Sequence, residues 1–205
     1  MGKQISITAI VGSYRKGGII DRAVDEILDA AREAGAETTK ISLVEKHIEF
    51  CVNCRSCTQR EGTERGQCLL LDDMRTILEQ LERSDAIVLA SPMNFGTVTA
   101  LMKRFIERLI CMAYWPWGKA YPILRNKRKT KRAVLVASAA APALLGRWFT
   151  RMVGLMKTAA GLLGARTAGV LFIGLAANQR DQPLTAKTIR KARRLGRKLA
   201  ETRDA

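Results

Sequence analysis

Short apolar, β-branched runs alternate with amphipathic stretches along this chain, and that alternation leaves few folds open. Ile5–Val11, Thr38–Leu43, Ala86–Ala90, Ala133–Ala137 and Thr167–Gly174 read as strands. Ile20–Ala34, Asp72–Glu82, Thr97–Cys111, Arg147–Leu163 and Thr185–Glu201 carry apolar residues at helical spacing. In the first of these, Ile20, Ala23, Val24, Ile27, Leu28 and Ala31 make one stripe, and Gly35 stands past its end. Ser91-Pro92 reads as the stop of the third strand, and Asp72 as the cap of the second helix. Strands that each feed a helix pair in parallel, with helices on both faces of the sheet. Right-handed crossovers then point to an α/β fold with a five-stranded parallel sheet of order 2-1-3-4-5. No repeat or low-complexity linker interrupts the pattern, so residues 1–205 are expected to form a single domain.

Hydrophobic residues make up 47% of the chain and charged residues 26%, a globular rather than a disordered balance. The formal charge of +16 favours anionic partners, from phosphorylated cofactors to an acidic protein, a membrane surface or nucleic acid. Basic residues gather at Arg125–Arg132 and Lys187–Lys198. The second group alternates with Ile189, Ala192, Leu195 and Leu199, as on the solvated face of an amphipathic helix. No nucleic-acid motif accompanies the charge, and none is expected as a partner. No run approaches the ~18 apolar residues of a membrane span, so no transmembrane segment is expected. Five cysteines without a secretory signal point to a reducing, cytoplasmic setting, with metal or redox chemistry ahead of structural disulfides.

In a sheet of this order, ligands sit beyond the carboxyl ends of the strands, at the switch between strands 1 and 3. The loop Gly12–Ile20 arrives there. Its glycines, Gly17 and Gly18, let backbone approach a phosphate, and Ile19 and Ile20 open a helix whose N-terminus favours an anion. Ser13 adds a hydroxyl and Arg15 a charge-assisted bond. The loop is neither GxGxxG nor a Walker sequence, and a plain glycine-rich turn is its bland alternative.

Cys51, Cys54 and Cys57 form a compact CxxCxxC, and Cys68 follows. Four readings stand side by side: a [4Fe–4S] cluster, structural zinc, redox disulfides, or inert thiols. Cys111 lies within a helical stretch and reads as a small buried apolar residue, and the lone His47 lacks a partner for catalysis. The stretch 111–121 is rich in aromatics and could cover a ligand, contact a second subunit, or pack on its own domain.

Gly12-Ser13-x-Arg15 with its following glycines, together with Ala90–Arg108, resembles the NADPH-dependent FMN reductase family, which includes iron–sulfur flavoproteins. The likeness in order and spacing runs over about residues 4–110, and more loosely to the end. It implies a flavodoxin-like three-layer sandwich that binds FMN. It places Ser13, Arg15, Gly17, Gly18, Ile19 and Ile20 at the phosphate, and Pro92, Met93, Asn94, Phe95 and Gly96 beside the ring. Asn94 stands where many members have an aromatic residue, so a hydrogen bond takes the place of stacking there, and Ser138 borders the ring from the fourth strand. The iron–sulfur members carry a similar cysteine group in this connection, which would make Cys51, Cys54, Cys57 and Cys68 the cluster ligands. The resemblance implies electrons passing from NAD(P)H to a quinone, flavin or other acceptor, in a homodimer or larger homo-oligomer. In the iron–sulfur variant, FMN and a [4Fe–4S] cluster exchange electrons with a ferredoxin. Neither reaction requires a side-chain acid, base or nucleophile, and no catalytic residue is assigned. A reading from another class is a metal-stabilised binding module that presents its basic helix to nucleic acid.

Overall fold

The computed structural model describes residues 4–144, 150–179 and 181–201. In chain order the elements are β1 (Ser6–Val11), α1 (Ile19–Glu33), β2 (Glu37–Ser42), α2 (Met74–Arg83), β3 (Ala86–Asn94), β4 (Thr97–Val98) and α3 (Ala100–Arg108). A small hairpin, β5 (Ala113–Tyr114) and β6 (Ile123–Leu124), precedes β7 (Lys131–Ser138), α4 (Met152–Leu162), β8 (Ala165–Ile173) and α5 (Ala186–Ala200). The main sheet runs β2-β1-β3-β7-β8, all parallel. With β7 and β8 as the fourth and fifth strands read from the sequence, this is the expected 2-1-3-4-5 order.

The sheet is covered on both faces. One face carries α1 and α5 on Ile7, Ala9, Val11, Val88, Val134 and Val136. Their crossing is close, since a Cβ on Gly196 would lie 2.0 Å from the Ile27 carbonyl oxygen. The other face carries α2, α3 and α4 on Ile10, Ile87, Leu89 and Leu135, with Phe105 fully buried. Residues of one strand alternate between the two cores, and the central strands are apolar throughout because both faces are covered.

Three local readings need correction. Ser91-Pro92 does not end the third strand: β3 runs to Asn94, pairing Pro92 with Ser138. A proline near a strand end removes a single ladder donor, and the extension folds back into a hairpin through the pairs Met93–Val98 and Asn94–Thr97. Phe95 (φ 47°) and Gly96 (φ 74°) form its two-residue turn, both with the positive φ of a primed hairpin. The third helix therefore starts at Ala100 instead of Thr97, and ends in a 3-10 turn, Leu109–Met112. Asp72 does not open the second helix, which starts at Met74, although its Oδ1 accepts from the Met74 N–H at 3.0 Å. The fourth helix starts at Met152, and of its expected first residues, 147–149 lie outside the described residues.

Candidate functional site

The carboxyl ends of β1, β3, β7 and β8 meet around a cavity of about 280 Å³. Eight of the residues expected to bind the cofactor line it: Ser13, Arg15, Gly18, Ile19, Ile20, Pro92, Asn94 and Ser138. Gly17, Met93, Phe95 and Gly96 do not. Gly17 takes a left-handed φ of 65° and donates its N–H to Asp21 Oδ2 at 2.7 Å, so it shapes the turn. Asp21 is held in turn by Lys40, with Nζ 2.9 Å from Oδ1. Met93 packs on the core, and Phe95 is fully exposed at the hairpin tip.

The phosphate loop closes on itself. Ser13 Oγ accepts from the Arg15 N–H at 3.2 Å, and the Gly18 N–H reaches the Arg15 carbonyl at 3.3 Å. Gly18 is the N-cap of α1, and no side chain caps that helix. The first-turn amides of α1 thus lack a side-chain acceptor and border the cavity, an arrangement that attracts an anion. Arg15 sits half-exposed at the rim, 3.6 Å from Asp181.

Sequence reasoning missed how this loop is tied to β3. Thr99, fully buried, donates from Oγ1 to the Gly12 carbonyl at 2.5 Å and accepts from the Met102 N–H at 3.2 Å, capping α3. Ser91 Oγ accepts from the Thr99 N–H at 3.1 Å. Gly12 has no room for a side chain, because a Cβ would lie 2.6 Å from Met102 Cβ. Replacing Thr99 by valine is expected to destabilise the protein by about 2 kcal/mol, through the lost cap and the unsatisfied Gly12 carbonyl. Denaturant titration reads this as a lower midpoint with an unchanged slope. Ala176, Ala177, Gln179 and Gln182, from the loop after β8, also line the cavity. No motif marks them; the only signal was that β8 ends beside β7.

The cysteine connection lies apart from this cavity, docked on the aromatic segment. Asn53 and Arg55 take left-handed φ of 52° and 58°, turning the chain between successive cysteines. The Arg55 guanidinium lies 3.9 Å from the Trp115 ring centroid and 4.2 Å from that of Trp117. It also donates to the Trp115 carbonyl at 2.5 Å, and the Trp115 N–H returns to the Thr58 carbonyl at 2.9 Å. Arg125 donates to the carbonyls of Cys57, Cys111 and Ala113. The aromatic segment thus serves as the platform of the cysteine loop. Cys51 and Trp115 border a second cavity, of about 990 Å³, between α3 and α4.

All five cysteines are free thiols. Burial, then the neighbouring Cys68, Cys51 and Cys54, push the Cys57 thiol up to about 11. Burial pushes Cys111 up to about 12, as befits an inert core residue. Hydrogen bonds from Ser56 lower the exposed Cys54. Among the described residues, no three of His, Cys, Asp or Glu converge closely enough to share one metal ion. A zinc site draws its four ligands to ~2.3 Å from a single point. Four thiols within one connection are a donor set that either an iron–sulfur cluster or a zinc ion takes.

Residues 5–179 match the model of the NADPH-dependent FMN reductase family. The chain belongs to that family. An iron–sulfur flavoprotein of Archaeoglobus fulgidus is 36% identical over 118 residues, 58% of this chain and 49% of that protein. One of Methanocaldococcus jannaschii is 36% identical over 104 residues, 51% of each. The chain spans about half the length of these curated relatives. Among solved structures, an NAD(P)H:quinone oxidoreductase from Methanothermobacter marburgensis has a TM-score of 0.62 at 21% identity, covering 96% of this chain and 100% of that one. That likeness is one of flavodoxin-like fold. Among the described residues, no helix is long and apolar enough to cross a membrane.

Proposed function

We propose that the chain binds FMN in the cavity at the ends of β1, β3, β7 and β8 and passes electrons from NAD(P)H to a quinone, flavin or other small acceptor. The observation that carries this reading is the uncapped N-terminus of α1 facing a cavity at the strand switch point. When bound, FMN takes up an electron pair from a nicotinamide and releases it to the acceptor. The protein's share is binding and orientation. The amides of Ile19 and Ile20, the Ser13 hydroxyl and the Arg15 guanidinium would hold the phosphate. Pro92 and Asn94 would border the ring on the β3 side, and Ser138 on the β7 side. The Ser91–Thr99–Gly12 network keeps the two loops in fixed relation without touching the cavity.

A second reading is favoured by the cysteine loop: a [4Fe–4S] cluster on Cys51, Cys54, Cys57 and Cys68, exchanging single electrons with FMN and with a ferredoxin. Its support is the compact CxxCxxC of Cys51, Cys54 and Cys57 with Cys68 following, together with the iron–sulfur flavoprotein relatives. The positive charge of the chain suits an acidic electron carrier. A homo-oligomer belongs to either reading.

The deciding experiment is anaerobic purification followed by an absorption spectrum, with flavin and iron quantified on one sample. Flavin without iron supports the reductase alone, and flavin with stoichiometric iron supports the second reading. No flavin, even after FMN is added, overturns both. The phosphate assignment has its own check. Arg15→Ala is expected to weaken FMN binding about tenfold, the value of a charge-assisted bond discounted for exposure. Riboflavin, which lacks the phosphate, should bind the variant and the parent equally in a fluorescence-quenching titration.

A further inference from the structure

Arg108 closes α3 with its side chain only 2% exposed, beside an Asp72 side chain that is 0% exposed. The two make a bidentate pair, Nη1 to Oδ2 at 2.5 Å and Nη2 to Oδ1 at 3.2 Å. Nη1 also donates to the Glu49 carbonyl at 2.9 Å. The remaining hydrogen of Nη2 is directed at Cys68 Sγ, 3.5 Å away. All four terminal N–H bonds are therefore committed, and one of them holds a thiol. A small cavity of about 180 Å³ lies beside Cys68, Arg108 and Cys111.

We propose that Arg108 is a positioning residue for an iron–sulfur centre, fixing the Cys68 thiolate as its fourth ligand and lending it a hydrogen-bond donor. The inference rests on the cluster reading above. The need for such a residue follows from the sequence. Cys51, Cys54 and Cys57 are placed by their own tight spacing, whereas Cys68 comes after a ten-residue gap and cannot inherit that geometry. It must be anchored by something outside the loop, and the end of α3 supplies the anchor. Asp72 and the Glu49 carbonyl hold the guanidinium in one orientation, so the donor to sulfur is preset. Burying an ion pair is a poor route to stability in itself, which leaves the pair in want of another use. A planar fork serves a carboxylate edge and a sulfur at once; a lysine ammonium cannot span both.

Donors to the cluster sulfurs stabilise the reduced, more negative state, and residues behind the ligands commonly control metal affinity about 10–100-fold. The test uses the full chain, purified anaerobically, with variants Arg108→Lys and Arg108→Met/Asp72→Asn. The double variant removes both buried charges together, so neither is stranded. Folding is checked by circular dichroism and FMN by absorbance. Iron loss to a chelator is followed against time, and the cluster midpoint potential by EPR-monitored titration. Both variants should fold and keep FMN, lose iron about 10–100-fold faster, and show a lower midpoint potential. Unchanged iron release and potential in folded variants would overturn the inference while leaving the cluster reading intact. Parent protein that binds no iron would overturn both. A merely structural pair would alter stability in these variants without moving the potential.

Discussion

Gly66→Ala is expected to release the cysteine loop from the body of the protein while leaving the strand-end cavity in place. A Cβ at Gly66 would lie 1.6 Å from the carbonyl oxygen of Cys57 and 2.6 Å from its carbon. Both atoms belong to backbone, so no rotamer change relieves the clash. The returning limb of the loop is pinned there: the Gly66 N–H donates to the Cys111 carbonyl at 2.8 Å, and Arg125 donates to the Cys57 carbonyl at 3.1 Å. The chain must therefore break contact either with Cys57 or with Cys111. Effects above about 4 kcal/mol are exceptional and come from a short set of causes, steric overpacking among them. The core sheet buries its apolar residues independently of this loop, so the loss is expected to be local. Hydrogen exchange should rise across residues 51–68 and stay low in β1, β3 and β7. On the cluster reading, the iron-to-flavin ratio falls with it. Protection equal to the parent's across 51–68 would show that the loop has another way to pass Cys57.

The strand order was legible because each apolar run is followed by an amphipathic one, and that pattern leaves little topological freedom. The phosphate loop was legible for a related reason: Gly12–Ile20 joins the first strand to its helix, and the sheet order fixes where that join must stand. The hairpin at Asn94–Thr97 was not, because it depends on Phe95 adopting a left-handed conformation that a bulky residue rarely takes. Only Gly96 hinted at a turn. The residues after β8 that line the cavity carry no motif; their position follows from β8 pairing with β7. The link from Arg108 to Asp72 and Cys68 was beyond reach, since the partners lie 36 and 40 residues away along the chain. Local periodicity marks which face of α3 is buried, but it cannot say that a charged residue on that face will find a carboxylate.

Asp72→Ala is expected to cost about 3–5 kcal/mol of stability near neutral pH, the penalty for leaving a buried cation without its partner. Arg108 would keep the Glu49 carbonyl and lose its counter-charge, while the amides of Glu49 and Met74 would lose their acceptor. The penalty should depend on pH with a definite sign. Burial pushes the Asp72 carboxyl up, but the hydrogen bonds from Arg108, Glu49 and Met74 outweigh it and hold the group below the usual carboxylate range. A carboxylate whose folded pKa is depressed stabilises fully above its unfolded value, about 3.9, and loses that contribution as pH falls through the folded value. The gap between parent and variant in urea-unfolding free energy should therefore be flat above about pH 5 and narrow below about pH 4. A gap that widened on acidification would mean that Asp72 is buried in its neutral form. The double variant Arg108→Met/Asp72→Asn should recover much of the loss, because it strands no charge. If it is no more stable than Asp72→Ala, the backbone amides rather than Arg108 are the groups that need the carboxylate.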